Sequence, residues 1–439
     1  MRRGPGGQGA TYDAVVVGAG VIGSATALAL SRRGWRVLVV DRHGAAGHGS
    51  TSASAGIVRV HATSTDAVIL AEEGLAHWES WRDFLDAPED EALASFRRCG
   101  TVVLDDGTGY AVDVAAALTA VGSSFERWGH DTLAANLPEF DLSRFGPPRL
   151  PEDDGFWDEP VGVLDGAIHT PASGFVADPA LAAQNLLAAA LRSGAVFRPG
   201  SEVVGVTGDE TRATGLLFAD STTVSAPVVL NAAGPESARL NRLAGADRGM
   251  TVETRAMRQE LHHVPAPPGV DWFCDGVHVV DGDLGINFRP EVGNALLVGG
   301  NGAPCDGETW VDPASAWSPA ATQTAWNRHV LRLARRMPRL RVPSRPSGVA
   351  GLYDVTPDWL PVYDRTDVAG FYVAIGTSGN QFKTAPLVGE LMADLIEANE
   401  GGRDIDEEPL VVTGPRTGCD IALAAYSRRR QPAADGVRG

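Results

Sequence analysis

Ala14-Val15-Val16-Val17 runs directly into Gly18-Ala19-Gly20-Val21-Ile22-Gly23, which opens an alanine- and leucine-rich stretch from Ser24 to Arg33 that Gly34 stops. A short β-branched run, a glycine-spaced turn and a helical stretch in that order leave few folds open. The pattern predicts a strand, a tight turn and a helix whose amino end faces a phosphate. Gly18 permits the turn, Gly20 lets backbone approach a pyrophosphate, and Gly23 lets the helix pack closely on the sheet. A second apolar run from Val37 to Val40 ends in Asp41. That is about 20 residues on, where a carboxylate accepts from a ribose hydroxyl. The expected class is α/β (α+β overall), begun by a Rossmann-type dinucleotide-binding unit, and NAD and FAD both fit the fingerprint.

Composition confines the remainder. With 439 residues there is room for more than one domain. Lys+Arg 37 against Asp+Glu 55 gives a net charge of −18, which repels phosphate backbones and anionic lipid and excludes nucleic acid as a partner class. Arg2 and Arg3 precede an apolar stretch as in a secretory signal, but interrupting glycines and the second strand identify it as strand, helix, strand. No other segment reaches bilayer-spanning length. Cys99, Cys274, Cys305 and Cys419 are scattered without a C-x-x-C spacing, which fits a reducing cytoplasm. The histidines, His262-His263 included, show no ligand spacing, so no metal site is expected. The chain reads as soluble and cytoplasmic.

Further along, the small-residue run from Gly47 to Arg59 suits a second phosphate contact and close approach to a flat ring, which an NAD-binding unit does not need. Asp66 to Leu85 places Ala71, Leu75, Trp78 and Leu85 near helical spacing, as a core stripe. Residues 86–170 read as loop-rich around a short strand at Val102 to Leu104. A helix is expected from Asp178-Pro179 to about Leu191, then strands at 203–206, 214–218 and 228–231, the last leading into Ala232-Ala233-Gly234. Asp281-Gly282 and Gly293-Asn294 divide the β-rich run from Val277 to Gly300 into an antiparallel meander, and Trp326, Val330 and Leu333 lie on one face of a covering helix. Leu352 to Val362 and Gly370 to Ile375 return to strand. Pro386 opens a last helix that Gly401-Gly402 closes, and the tail from Ser427, with Arg428-Arg429-Arg430, is expected to be solvated or disordered.

Lysine occurs once, at Lys383; every other cationic side chain except histidine is arginine. Arginine replaces lysine wherever any surface cation suffices, but a guanidinium does not replace a compact ammonium with rotatable donors at a crowded reactive site. Retention by chance on a surface is the competing reading.

Taken in order, Gly18, Gly20, Gly23 and Asp41, then Gly49-Ser50-Thr51 and Gly56 to Arg59, then Thr356-Pro357-Asp358 and Gly376-Thr377-Ser378-Gly379-Asn380-Gln381-Phe382-Lys383 carry a family resemblance. From about residue 12 to about residue 400 the chain resembles the D-amino-acid oxidase superfamily of FAD flavoproteins, most of all its sarcosine oxidase, glycine oxidase and D-amino-acid dehydrogenase-like branch. The resemblance implies an FAD-binding domain assembled from residues 11–90, 172–247 and 346–400. It implies a substrate domain, built on an antiparallel sheet with helices, from 91–171 and 248–345, with a tail at 401–439. FAD contacts are expected from Gly18, Gly20, Val21, Ile22, Gly23, Asp41, Arg42, Ser50, Thr51, Val203, Ala233, Gly234, Gly379, Asn380, Gln381, Phe382 and Lys383.

The implied reaction is oxidation of the C–N bond of an amino acid or N-alkyl amino acid: a hydride passes from the α-carbon to flavin N5, the imine hydrolyses, and oxygen or a separate acceptor takes the electrons. The implied catalytic residues are Arg59 and Lys383, at positions that hold the substrate carboxylate, Tyr353, lining the pocket, and Asn301, where the family has an active-site histidine. The chain departs from the family in other ways. Flavin-linking members carry a cysteine at the position of Gly351 or a histidine at that of Ala53, so FAD is expected to be non-covalent. A lysine implicated in oxygen activation corresponds to Leu297, and a common glycine to Gln381. An NAD-dependent dehydrogenase and a non-catalytic FAD-binding subunit of a larger complex are the alternative functions.

Overall fold

The computed structural model describes residues 11–312 and 317–432. The first strand, Ala14–Val17, is fully apolar and sits in the middle of a six-stranded sheet, where a run buried on both faces belongs. Val37–Val40 and Val196–Arg198 lie on one side of it and Val228–Asn231, Phe371–Ile375 and Val362–Arg365 on the other. All pair in parallel except the last, which pairs antiparallel with Phe371–Ile375. Helix Val21–Arg32 is buried along almost its whole length because helices Pro179–Arg192 and Ala385–Glu400 pack against it. Strands from four distant stretches of chain therefore build one nucleotide sheet.

A second sheet has eight strands, in the order Gly348–Val355, Arg255–Pro265, Ala295–Gly300, Ile286–Glu291, His278–Asp281, Thr101–Leu104, Gly166–Thr170, Glu126–Gly129. The expected meander from 277 to 300 is its centre, and helix Gln323–Arg336 buries Trp326, Val330 and Leu333 against Phe288, Leu296 and Val298 on one face. The opposite face meets the small-residue run: Arg289 donates from Nε to the carbonyl of Ala55 at 2.6 Å. Gly351 lies so close to Ala53 that a β-carbon on it would stand 2.6 Å from that side chain. Strand Gly348–Val355, within the third stretch expected for the FAD domain, is hydrogen-bonded into this large sheet and links the two.

Two expectations are corrected. Residues 86–170 are not mainly loop, since they hold helices Tyr110–Val121 and His130–Asn136 and strands Glu126–Gly129 and Gly166–Thr170. Strands of four and five residues, one of them at the sheet edge, are too short to give a clean period to read. The tail is not solvated at Ser427. Arg428 is fully buried and pairs with Asp364 at 3.0 Å, Asp406 at 2.8 Å and Asp367 at 2.6 Å. Arg430 makes a fork onto Asp358 at 2.7 and 2.8 Å. A run of arginines reads as solvent-facing unless its carboxylate partners, from 22 to 72 positions earlier, are known to be waiting.

Candidate active site

At the carboxyl ends of the nucleotide strands lies a cleft of about 480 Å³. Gly18 takes φ +108°, and a β-carbon there would stand 2.3 Å from the carbonyl oxygen of Ala232, so the crossing of the two strand ends admits only glycine. Gly23 packs against the carbonyl of Gly18 in the same way, leaving the first turn of helix Val21–Arg32 open to the cleft. The hydroxyl of Thr51 accepts from the Val21 N–H at 3.2 Å, and Ser50 donates to the carbonyl of Leu352. Asp41 accepts from the N–H groups of Ala19 and His43, both at 2.7 Å, which fixes its carboxylate at the cleft wall. Gly20, Val21, Ile22, Arg42, Val203, Ala233 and Gly234 line the same space, with Arg42 paired to Glu236 at 2.8 Å. A glycine cradle, a helix amino end and a ribose-height carboxylate along one elongated cleft fit a dinucleotide.

The far end of the cleft is closed by residues 376–383. Gly379, Gln381 and Phe382 line it, together with Gly351 and Tyr353 from the large sheet. Gly379 has φ +70°, and a β-carbon would lie 2.2 Å from the ring of Tyr353, so that ring sits directly on loop backbone. The loop is braced from behind: Phe382 stacks on Trp78 at 5.0 Å, and the Trp78 indole donates to the carbonyl of Lys383 at 2.8 Å. The stripe expected as core is core, and its Trp78 also holds this loop. From the front, Asp354 accepts from the Gly376 N–H at 2.6 Å and its carbonyl accepts from the Ser378 N–H at 2.8 Å. Burial pushes the Asp354 carboxyl up to about 7.

Beside this loop two basic side chains meet on one oxygen. Lys383 Nζ donates to the Asn380 carbonyl at 2.6 Å and to Asn380 Oδ1 at 2.7 Å. Arg59 Nη2 donates to the same Oδ1 at 3.1 Å, and Nη1 to the carbonyl of His61 at 2.7 Å. Among the described residues no carboxylate stands within ion-pairing distance of either side chain. Burial depresses both, and for Lys383, held well below the ordinary lysine range, the charge of Arg59 adds to it. His61 and His278, neighbours of the pair, are buried and stacked at 6.4 Å; His278 meets the Thr101 hydroxyl at 3.0 Å. Burial, reinforced by Arg59, drives His278 down to about 3 and His61 well below the usual imidazole range.

Of the residues singled out from sequence, Tyr353 lines the far end of the cleft, and Arg59, Lys383 and Asn380 gather on one oxygen beside the loop that closes it without themselves lining it. Asn301 does not line it: its amide is spent on Asn287 and the carbonyl of Ile286, both at 2.7 Å. His61, His278 and Asp354 were not anticipated, because an isolated histidine or aspartate carries no motif. Adjacency to Tyr353 was the one available hint for Asp354.

Comparison with known proteins follows this geometry. The sequence pattern of the DAO family, described as FAD dependent oxidoreductase, matches residues 13–395. The chain is 27% identical over 401 residues to a glycine oxidase of Geobacillus kaustophilus (strain HTA426), covering 90% of this chain and 95% of that one. Among solved structures it is similar to L-proline dehydrogenase from P. horikoshii, with TM-score 0.73 and 18% identity over 95% of this chain and 97% of that one. It is similar also to iminodiacetate oxidase from Chelativorans sp. BNC1, with TM-score 0.67 and 19% identity over 90% and 98%. At these identities the structural likeness is one of fold.

Proposed function

The chain belongs to the DAO family of FAD dependent oxidoreductases, and from that premise we propose that it oxidises the C–N bond of a small amino acid or N-alkyl amino acid. The observation that carries the reading is the pair of half-buried Arg59 and buried Lys383, which share Asn380 Oδ1 with no carboxylate partner among the described residues. A desolvated guanidinium beside a second basic group, with no counter-ion among the described residues, suits an anion that arrives from outside, and a substrate carboxylate is the anion of the right size. The relatives' names support the class: glycine, L-proline and iminodiacetate are all carboxylate-bearing amines.

FAD, when bound, supplies the acceptor for the hydride that leaves the substrate α-carbon. Gly18, Gly20, Asp41, Ser50, Thr51, Val203, Ala233 and Gly234 hold its nucleotide part, and Gly379 to Phe382 with Tyr353 border the ring end. Arg59 and Lys383 fix the carboxylate and thereby the direction of the α C–H, and Tyr353 orients the substrate through its hydroxyl. The imine product hydrolyses in water. Non-covalent FAD is supported by the facing pair Gly351 and Ala53, which offer no nucleophile, and by the absence of cysteine from the described lining of the cleft. Four unpaired thiols support a cytoplasmic setting.

The test is anaerobic mixing of the purified yellow protein with glycine derivatives and L- and D-amino acids. Bleaching by a member of the panel is expected, and admission of air then separates an oxidase, which recolours at once, from a dehydrogenase that needs another acceptor. Buried, apolar Leu297 in the large sheet favours the second. No bleaching by any carboxylate-bearing amine, with FAD bound, overturns the reading.

A further inference from the structure

The sole lysine of the chain sits where an arginine would have served carboxylate binding better, since a guanidinium grips a carboxylate with two parallel bonds. What lysine offers and arginine does not is a proton that comes off. The surroundings of Nζ favour the deprotonated form, since it is buried beside the Arg59 guanidinium with only two acceptors. Both of its acceptors belong to Asn380, and no further described acceptor stands within reach. An amine has two N–H groups, both used here, and one lone pair. An ammonium in the same place would bury a third, unpartnered N–H beside a guanidinium. The groups around the site are Arg59 and His61 from the stretch after strand Ile57–Val58, Tyr110 from helix Tyr110–Val121, Tyr353 from the large sheet, and His278. None is a carboxylate.

We propose that Lys383 is the proton acceptor for the substrate's ammonium group: it waits as a neutral amine, takes the proton when the carboxylate docks beside Arg59, and then holds that carboxylate as an ammonium. One N–H bond of the substrate ammonium breaks with its electron pair left on nitrogen, and one N–H bond forms at Nζ. No proton leaves for solvent and the total charge of the site and substrate is unchanged. The product is the free-base amine, the form whose lone pair can develop the C=N bond as the hydride leaves. Docking of the anion drives the transfer, because a carboxylate within hydrogen-bonding distance favours the charged form of lysine. The inference rests on the carboxylate reading above.

The experiment uses the oxidised FAD-loaded protein and methoxyacetate, a carboxylate that carries no ammonium and cannot supply the proton. Calorimetric titration at about pH 8, where an ordinary lysine is fully charged, in two buffers of different ionisation enthalpy, counts protons. Wild type is expected to take up close to one proton per site, and Lys383→Met and Lys383→Arg none, the arginine variant still binding tightly. The Lys383→Arg enzyme is further expected to reduce its flavin only through the free-base fraction of substrate, slowing about tenfold per pH unit below the amine pKa. Binding to wild type without proton uptake, or uptake that persists in both variants, overturns the proton role alone. Failure of wild type to bind methoxyacetate, with the flavin spectrum intact, removes the carboxylate reading beneath it.

Discussion

Replacing Arg428 by methionine tests whether the C-terminal segment is part of the fold. Arg428 is fully buried, and its three carboxylate partners differ in exposure: Asp364 is 5% exposed at the side chain, Asp406 17% and Asp367 43%. Asp406 and Asp367 keep Arg365 and Arg429 when the guanidinium goes, whereas Asp364 is left as a buried charge that has lost its ion-pair partner. It keeps bonds from the Ser427 hydroxyl and the residue-428 N–H, each within 3.0 Å. Removing one partner of a buried ion pair costs about 3–5 kcal/mol, and these retained donors put the expected loss near the lower figure, about 3 kcal/mol. An unfolding entropy of about 2.1 cal/mol/K per residue gives about 0.9 kcal/mol/K for a chain this long, so the melting midpoint should fall by roughly 3 °C. Adding Asp364→Asn should recover part of the loss, since the stranded charge is then gone. Thermal unfolding followed by flavin fluorescence reads both variants. A midpoint within about 0.5 °C of wild type for Arg428→Met would mean that the arginine cluster is solvated after all and the reasoning is wrong.

Three other outcomes are expected. Burial holds His262 near 4 and His278 near 3, below the ordinary 6.5, so the unfolded chain binds these protons first and stability is lost as pH falls through about 6 toward 4. His262→Phe, which discards two buried nitrogens without partners, should lessen that acid slope in urea titrations and leave the protein at least as stable at neutral pH. Asp354 behaves with the opposite sign: its folded value is raised from 3.8 to about 7, so stability falls as pH rises between these values. Asp354→Asn should therefore exceed wild type by about 2–4 kcal/mol above neutrality, with the gap closing toward pH 4; a constant gap at all pH would refute it. Gly18→Ala, whose β-carbon would meet the Ala232 carbonyl at 2.3 Å, should purify without flavin absorbance or fail to fold, while a yellow variant of normal affinity would count against the cradle.

The nucleotide unit was legible because its information is local. Strand, glycine turn, helix and Asp41 lie within 30 residues, and each residue's reason, whether a positive φ, a close approach or an apolar face, is satisfied by near neighbours. The meander at 277–300 was legible in the same way, since turn pairs and alternation specify antiparallel strands without reference to the rest of the chain. Lys383 stood out by being alone, and sequence placed it and Arg59 together only through resemblance. What tertiary structure decided is everything that depends on distant partners. Arg59 and Asn380 are 321 positions apart, and only the closing of the nucleotide sheet by Phe371–Ile375 brings them onto one shared oxygen. The same closure gave Asp354 its place against the loop at residues 376–383 and turned Arg428 from an expected solvated residue into a buried clamp. Periodicity reports how a residue sits on its own element. The charge a group carries, and what it can hold, is set by which other groups share its dry space, and that is fixed only when the sheets come together.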